Sequence, residues 1–170
     1  MSNEIKIIDL FAGPGGLGEG FSALRNAKGK PVFRIGVSIE KEASAHQTLR
    51  LRAFYRQFPK GEAPKEYYEF MEGKLGNKPD DKLFKLKKFK CEVEEANREA
   101  RMLALGPDNE EIDEAIDSAL GNRKSNWVLI GGPPCQAYSL AGRSRNKGIK
   151  NYRIENDLRS YLYMEYLRVI

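Results

Sequence analysis

The chain has 170 residues, 41% of them hydrophobic and 31% charged, with a formal net charge of +5. That length suits one domain with a real core, and the mild basicity fits a polyanionic partner without requiring one. No run of about 18 uninterrupted apolar residues occurs, so no spanning helix is expected, and Met1-Ser2-Asn3-Glu4 has none of the character of a secretory signal.

Ile5 to Leu10 reads as a short buried strand that ends at a glycine-rich turn. Leu17 to Ala27 reads as the first helix and Val32 to Ile39 as the second strand, with Glu40 at its end. Glu42 to Phe58 is a predicted helix with Thr48, Leu51, Tyr55 and Phe58 on one face and Pro59 as its stop. From about residue 60 to 125 charges dominate and no strand pattern appears. Three helices are expected there. Lys65 to Leu75 is the first. Cys91 to Leu105 is the second, with Val93, Ala96, Ala100 and Leu103 on one face and Gly106-Pro107 as the stop. Glu110 to Leu120 is the third, with Asp108 and Glu111 spaced as a capping box and Gly121 as C-cap. Trp127 to Ile130 returns to strand. Residues 131 to 155 form a long polar and basic loop, a length that is usually functional or disordered. Leu158 to Ile170 closes the chain as a helix. Strands alternate with helices, so the fold class is α/β with a parallel, Rossmann-like sheet. Ligands of such sheets bind beyond the carboxyl ends of the strands. The glycine turns after the first and last strands should therefore converge on one crevice.

Two turns carry the chemistry. In Phe11-Ala12-Gly13-Pro14-Gly15-Gly16-Leu17-Gly18, glycines permit positive φ and close approach of a ligand. The helix behind them presents unpaired N–H groups to an anionic group. Glu40 suits either a helix start, where the dipole favours an acid, or a partner for two ribose hydroxyls. The second turn is Gly131-Gly132-Pro133-Pro134-Cys135-Gln136. Cysteine is normally a small buried hydrophobe, which is the reading for Cys91. Cys135 differs, because two prolines stiffen its loop at a strand end. Arg143 and Arg145 follow closely enough to help hold a thiolate. The two cysteines lack metal-site spacing and suggest free thiols in a reducing compartment. His46, the one histidine, reads as a surface or packing residue.

The string Asp9 to Gly16, followed by Gly131 to Ser139, resembles the cytosine-5 DNA methyltransferase family over about 5–58 and 126–170. The resemblance implies a partial S-adenosylmethionine-dependent methyltransferase fold, with 60–125 as a helical insertion. It implies that Phe11, Ala12, Gly13, Pro14, Gly15, Gly16, Leu17, Glu40 and Pro134 hold S-adenosylmethionine, and that Leu162 packs near it. Cys135 would add to C6 of cytosine, so that C5 can take the methyl group, on a base flipped out of the duplex. Gln136, Ser139 and Arg143 would contact the target nucleotide and its phosphates. Arg145, Lys147 and Lys150 extend that basic cluster toward DNA. No metal and no membrane are implied; bacterial restriction-modification, in the cytoplasm, is the expected setting.

The family's adenine-contacting acidic residue after a third strand cannot be placed. Its Glu-Asn-Val strand, its target-recognition domain and its closing cofactor motif are not in these residues. The chain is therefore expected to be the N-terminal part of a longer or split enzyme, inactive alone, with a C-terminal complementing chain or domain as partner beside DNA. An RNA cytosine-5 methyltransferase shares the cysteine loop and is the nearest alternative. A remnant that binds cofactor or nucleic acid without catalysis is the other.

Overall fold

A computed structural model describes residues 4–121, 126–133 and 162–170. Four strands form one parallel sheet in the order β3-β2-β1-β4: β1 (Ile5–Leu10), β2 (Phe33–Ile39), β3 (Ala100–Arg101) and β4 (Trp127–Gly131). The central strand β1 is apolar on both faces, as a buried parallel strand must be. Ile8 and Leu10 join Val37 and Ile39 on one face, under Ile112, Ala115 and Ile116. Ile7 joins Ile35 and Ile130 on the other, under Phe21. Helices thus cover both faces, as in a doubly wound sheet.

The covering helices are α1 (Gly16–Ala23) and α2 (Ala43–Tyr55), the short α3 (Lys65–Met71) and α4 (Pro79–Phe84), α5 (Lys90–Glu99), α6 (Asn109–Leu120) and α7 (Leu162–Arg168). A 3-10 turn at Lys87–Phe89 leads into α5. Phe54 of α2 is fully buried and meets Phe58, Phe84 and Phe89 edge to face. That aromatic cluster binds the charged segment to the sheet domain.

Several expectations are corrected. The charged segment carries four helices, not three, α4 being the addition. The predicted helix Cys91 to Leu105 ends at Glu99, because Ala100 and Arg101 pair with Ser38 and Ile39 as β3. The stretch read as free of strands therefore supplies an edge of the sheet. In α2 the buried residues are Leu49, Leu51, Ala53 and Phe54, while Thr48 is exposed. The helix packs against α5 and also against the glycine turn, so its apolar side is broader than one stripe. Asp108 stands at the α6 N-cap but makes no capping bond; its carboxylate accepts from the Ala104 N–H at 2.7 Å instead. Gly121 does close α6 with φ 69°. Among the described residues no helix is long and apolar enough to cross a membrane.

Candidate functional site

Three strands end level. Leu10 pairs with Ile39 on one side and with Gly131 on the other. Phe11, Glu40 and Gly132 are therefore neighbours at the carboxyl edge of the sheet. The order of strands reverses between β1 and β4, and such a switch point opens a crevice. This register sets the turn after β1 beside the first residues after β4, Gly131 to Pro133; the rest of the second turn lies outside the described residues.

The first turn is held by its backbone. The Ala12 N–H donates to the Ile39 carbonyl at 3.0 Å, and the Gly15 N–H to the Ala12 carbonyl at 3.0 Å. Phe11, Gly13 and Gly15 take positive φ of 57°, 57° and 87°. At Gly15 an added Cβ would lie 2.8 Å from Leu49 Cδ1, so the turn rests directly on α2. Pro14, Gly16 and Leu17 face solvent, Ala12 and Gly15 are buried, and Phe11 and Gly13 lie between. The first turn of α1 directs its unpaired amides into the same region.

Glu40 is half-buried beside this turn. Its carboxylate accepts from the Gly13 N–H and from the Glu42 N–H, each at 2.7 Å. Its own N–H donates to the Arg101 carbonyl at 3.1 Å, so β3 fixes Glu40 from behind.

Asp9 was not singled out from the sequence. It is 1% exposed, one residue before the end of β1, and among the described residues neither carboxylate oxygen has a hydrogen-bond partner. Burial pushes its carboxyl up to about 6; the Arg56 guanidinium opposes this and Glu40 adds to it. A Cβ on Gly18 would come within 3.2 Å of Asp9 Oδ2, so the glycine lets α1 lie close over the carboxylate. The signal in the sequence is an acid between two apolar residues, Ile8 and Leu10, at the end of a buried strand.

On the β4 side the described chain runs through Gly131, Gly132 and Pro133. Gly131 has φ 143°, and a Cβ there would sit 1.9 Å from the Leu10 carbonyl oxygen. Pro134, Cys135, Gln136, Ser139, Arg143 and Arg145 lie outside the described residues. Leu162 begins α7 and is half-buried; Tyr166 and Val169 of that helix pack on the sheet face under α6. Cys91 is exposed on the first turn of α5, which corrects its reading as a buried packing residue, and His46 lies against the Ala100 carbonyl at 3.2 Å. Among the described residues no group of histidine, cysteine or acidic side chains could hold a metal ion.

Two cavities, of about 560 and 550 Å³, lie elsewhere. Both open on Arg34 and Ile35 in the first half of β2, with Gln57 and Glu99 in their walls. Near them Arg56 bridges Glu19 and Glu99. Volume alone does not make these the functional site. Their walls take the first half of β2, not the level ends of β1, β2 and β4.

A parallel α/β sheet with a glycine turn and an acidic residue at adjacent strand ends defines a Rossmann-like fold. The chain is 34% identical to the type II methyltransferase M.Bpa9945I of Bacillus paralicheniformis, over 96% of its own length and 37% of that protein. It is 28% identical to the putative type II methyltransferase M.OihORF3336P of Oceanobacillus iheyensis, covering 95% of the chain and 25% of that protein. It is 26% identical to the type II methyltransferase M.AquIA of Picosynechococcus, covering 98% and 44%. The chain thus spans less than half the length of each of these relatives. No protein-family model matches it. No solved structure matches it.

Proposed function

We propose that this chain is the cofactor-binding and nucleophile-bearing part of a DNA cytosine-5 methyltransferase that uses S-adenosylmethionine. The observation that carries the reading is the level register of Leu10, Ile39 and Gly131. It brings the glycine turn, Glu40 and the root of the cysteine loop to one crevice. Similarity to type II methyltransferases along almost the whole chain supports the same reading.

The residues present fit the cofactor. Open backbone around Gly13 to Gly16 and the α1 amides suit its carboxylate. Glu40 suits the ribose hydroxyls, since each carboxylate oxygen can accept more than one hydrogen bond. The buried Asp9 carboxylate, without a hydrogen-bond partner among the described residues, lies under Gly18 of α1, two residues before Phe11 begins the turn. When bound, the cofactor supplies an electrophilic methyl group.

The protein's part is to hold and to activate. Cys135, as thiolate, forms a bond from sulfur to C6 of the flipped cytosine, and the ring electrons move to C5. After C5 has taken the methyl group, its proton leaves to a base and the sulfur–carbon bond breaks, restoring the thiolate. Arg143 and Arg145 favour the thiolate and neutralise phosphates.

The test is methyl transfer from labelled S-adenosylmethionine to DNA and to RNA, with wild type and Cys135→Ser, in the chain joined to or mixed with the rest of a relative-length enzyme. Label at C5 of cytosine in DNA, lost with Cys135→Ser, is expected. Label on an exocyclic nitrogen, or transfer that survives Cys135→Ser, sinks the cytosine-5 mechanism. Transfer to RNA alone transfers the reading to RNA.

A further inference from the structure

Both carboxylate oxygens of Glu40 accept a backbone amide. Its Oε2 accepts from the Gly13 N–H and its Oε1 from the Glu42 N–H. One bond crosses to the middle of the glycine turn; the other grips the residue that precedes α2. Gly13 needs such a restraint. Its φ is 57°, and a Cβ built on it would meet nothing within 4 Å, so no packing holds it in place. Glycine without restraint samples both signs of φ. The flanking bonds of Ala12 and Gly15 leave the Gly13 amide to Glu40 alone among the described residues. A carboxylate–amide bond is charge-assisted and stronger than a neutral one. Glu40 cannot drift, because its own N–H is tied to Arg101 of β3.

We propose that Glu40 is a positioning residue that straps Gly13 to the start of α2, setting the glycine turn for its ligand independently of any contact with a ribose. The two roles are compatible, since each oxygen that accepts one amide can still accept one hydroxyl. The strap needs no cofactor to exist; only the second experiment rests on the cofactor reading.

The first experiment is amide hydrogen exchange by NMR in the ligand-free protein. Glu40→Ala should speed exchange at both Gly13 and Glu42 by about tenfold or more, with β1 core amides unchanged as the check on folding. Gly13 exchange equal to wild type overturns the strap. The second is calorimetry with S-adenosylhomocysteine and with its analogue lacking both ribose hydroxyls. A residue that served the ribose alone would leave the analogue's affinity unchanged on substitution. The strap predicts that Glu40→Ala weakens the analogue too, by about tenfold, roughly one hydrogen bond's worth. Equal affinity of both proteins for the analogue overturns the positioning role. Wild-type protein that binds neither compound counts against the cofactor reading, and the exchange result alone then upholds or overturns the strap.

Discussion

Gly131→Ala places a methyl group where the structure has none to spare. The new Cβ would lie 1.9 Å from the Leu10 carbonyl oxygen, 2.9 Å from its carbonyl carbon and 3.2 Å from its nitrogen. All three are backbone atoms of the central strand, so no rotamer relieves the clash. Reaching even a 3.0 Å contact requires β4 to retreat by about 1.1 Å. That displaces the last rung of the β1–β4 ladder, at about 0.5–1.5 kcal/mol for each hydrogen bond lost. A residue with a side chain at φ 143° adds about 1–3 kcal/mol of strain. With one hydrogen bond lost the cost is about 1.5–4.5 kcal/mol, a large share of a small domain's stability. Urea unfolding provides the assay, and Trp127, the chain's one tryptophan, sits at the start of β4 as the reporter. Gly132→Ala is the control, because a Cβ there meets nothing within 4 Å; it should change stability by less than about 0.5 kcal/mol. Equal midpoints for the two variants would show that the turn after β4 does not press on Leu10 and that the crevice is built differently.

Asp9 gives a pH signature. Its folded pKa of about 6 is above the ordinary 3.8, so the folded state binds the proton more tightly. Stability from this group is therefore complete below about pH 4, falls as pH rises toward 6, and stays low above that. Asp9→Asn should remove that fall, of about 1–3 kcal/mol, in urea midpoints measured from pH 4 to 7; an unchanged pH profile contradicts the assignment. Arg56 lies between Glu19 and Glu99, and burial raises the pKa of Glu99 despite it. Arg56→Met should cost about 3–5 kcal/mol near neutral pH, because it strands a buried carboxylate. Adding Glu99→Met should recover much of that loss, and a double-mutant cycle with no coupling would refute the pairing.

The sequence made the sheet's central strands legible because each ends in residues with a backbone reason to be there. β1 stops at the positive-φ turn, and β4 at a glycine that Leu10 leaves no room to replace. Glu40 was legible by its place after β2. Its bonds to Gly13 and Glu42 were not, since they depend on how the strand ends align. β3 was hidden because Val93, Ala96, Ala100 and Leu103 recur at helical spacing, and two paired residues are too few to show a period of two. The missed helix α4 had a local sign, Pro79 at its first position followed by Asp80 and Asp81. Asp9 stood in plain view within the motif, yet its solitude is a tertiary fact: α1 lies over it and supplies only Gly18.

The most direct test of the crevice is amide shift mapping by NMR while S-adenosylhomocysteine is added to the wild-type chain. The account predicts shifts concentrated at Phe11 to Leu17, at Glu40 and at Gly131 and Gly132, the residues that share the level strand ends. Shifts confined to Arg34, Gln57 and Glu99, in the walls of the two large cavities, would contradict it, as would no shifts at all at millimolar ligand.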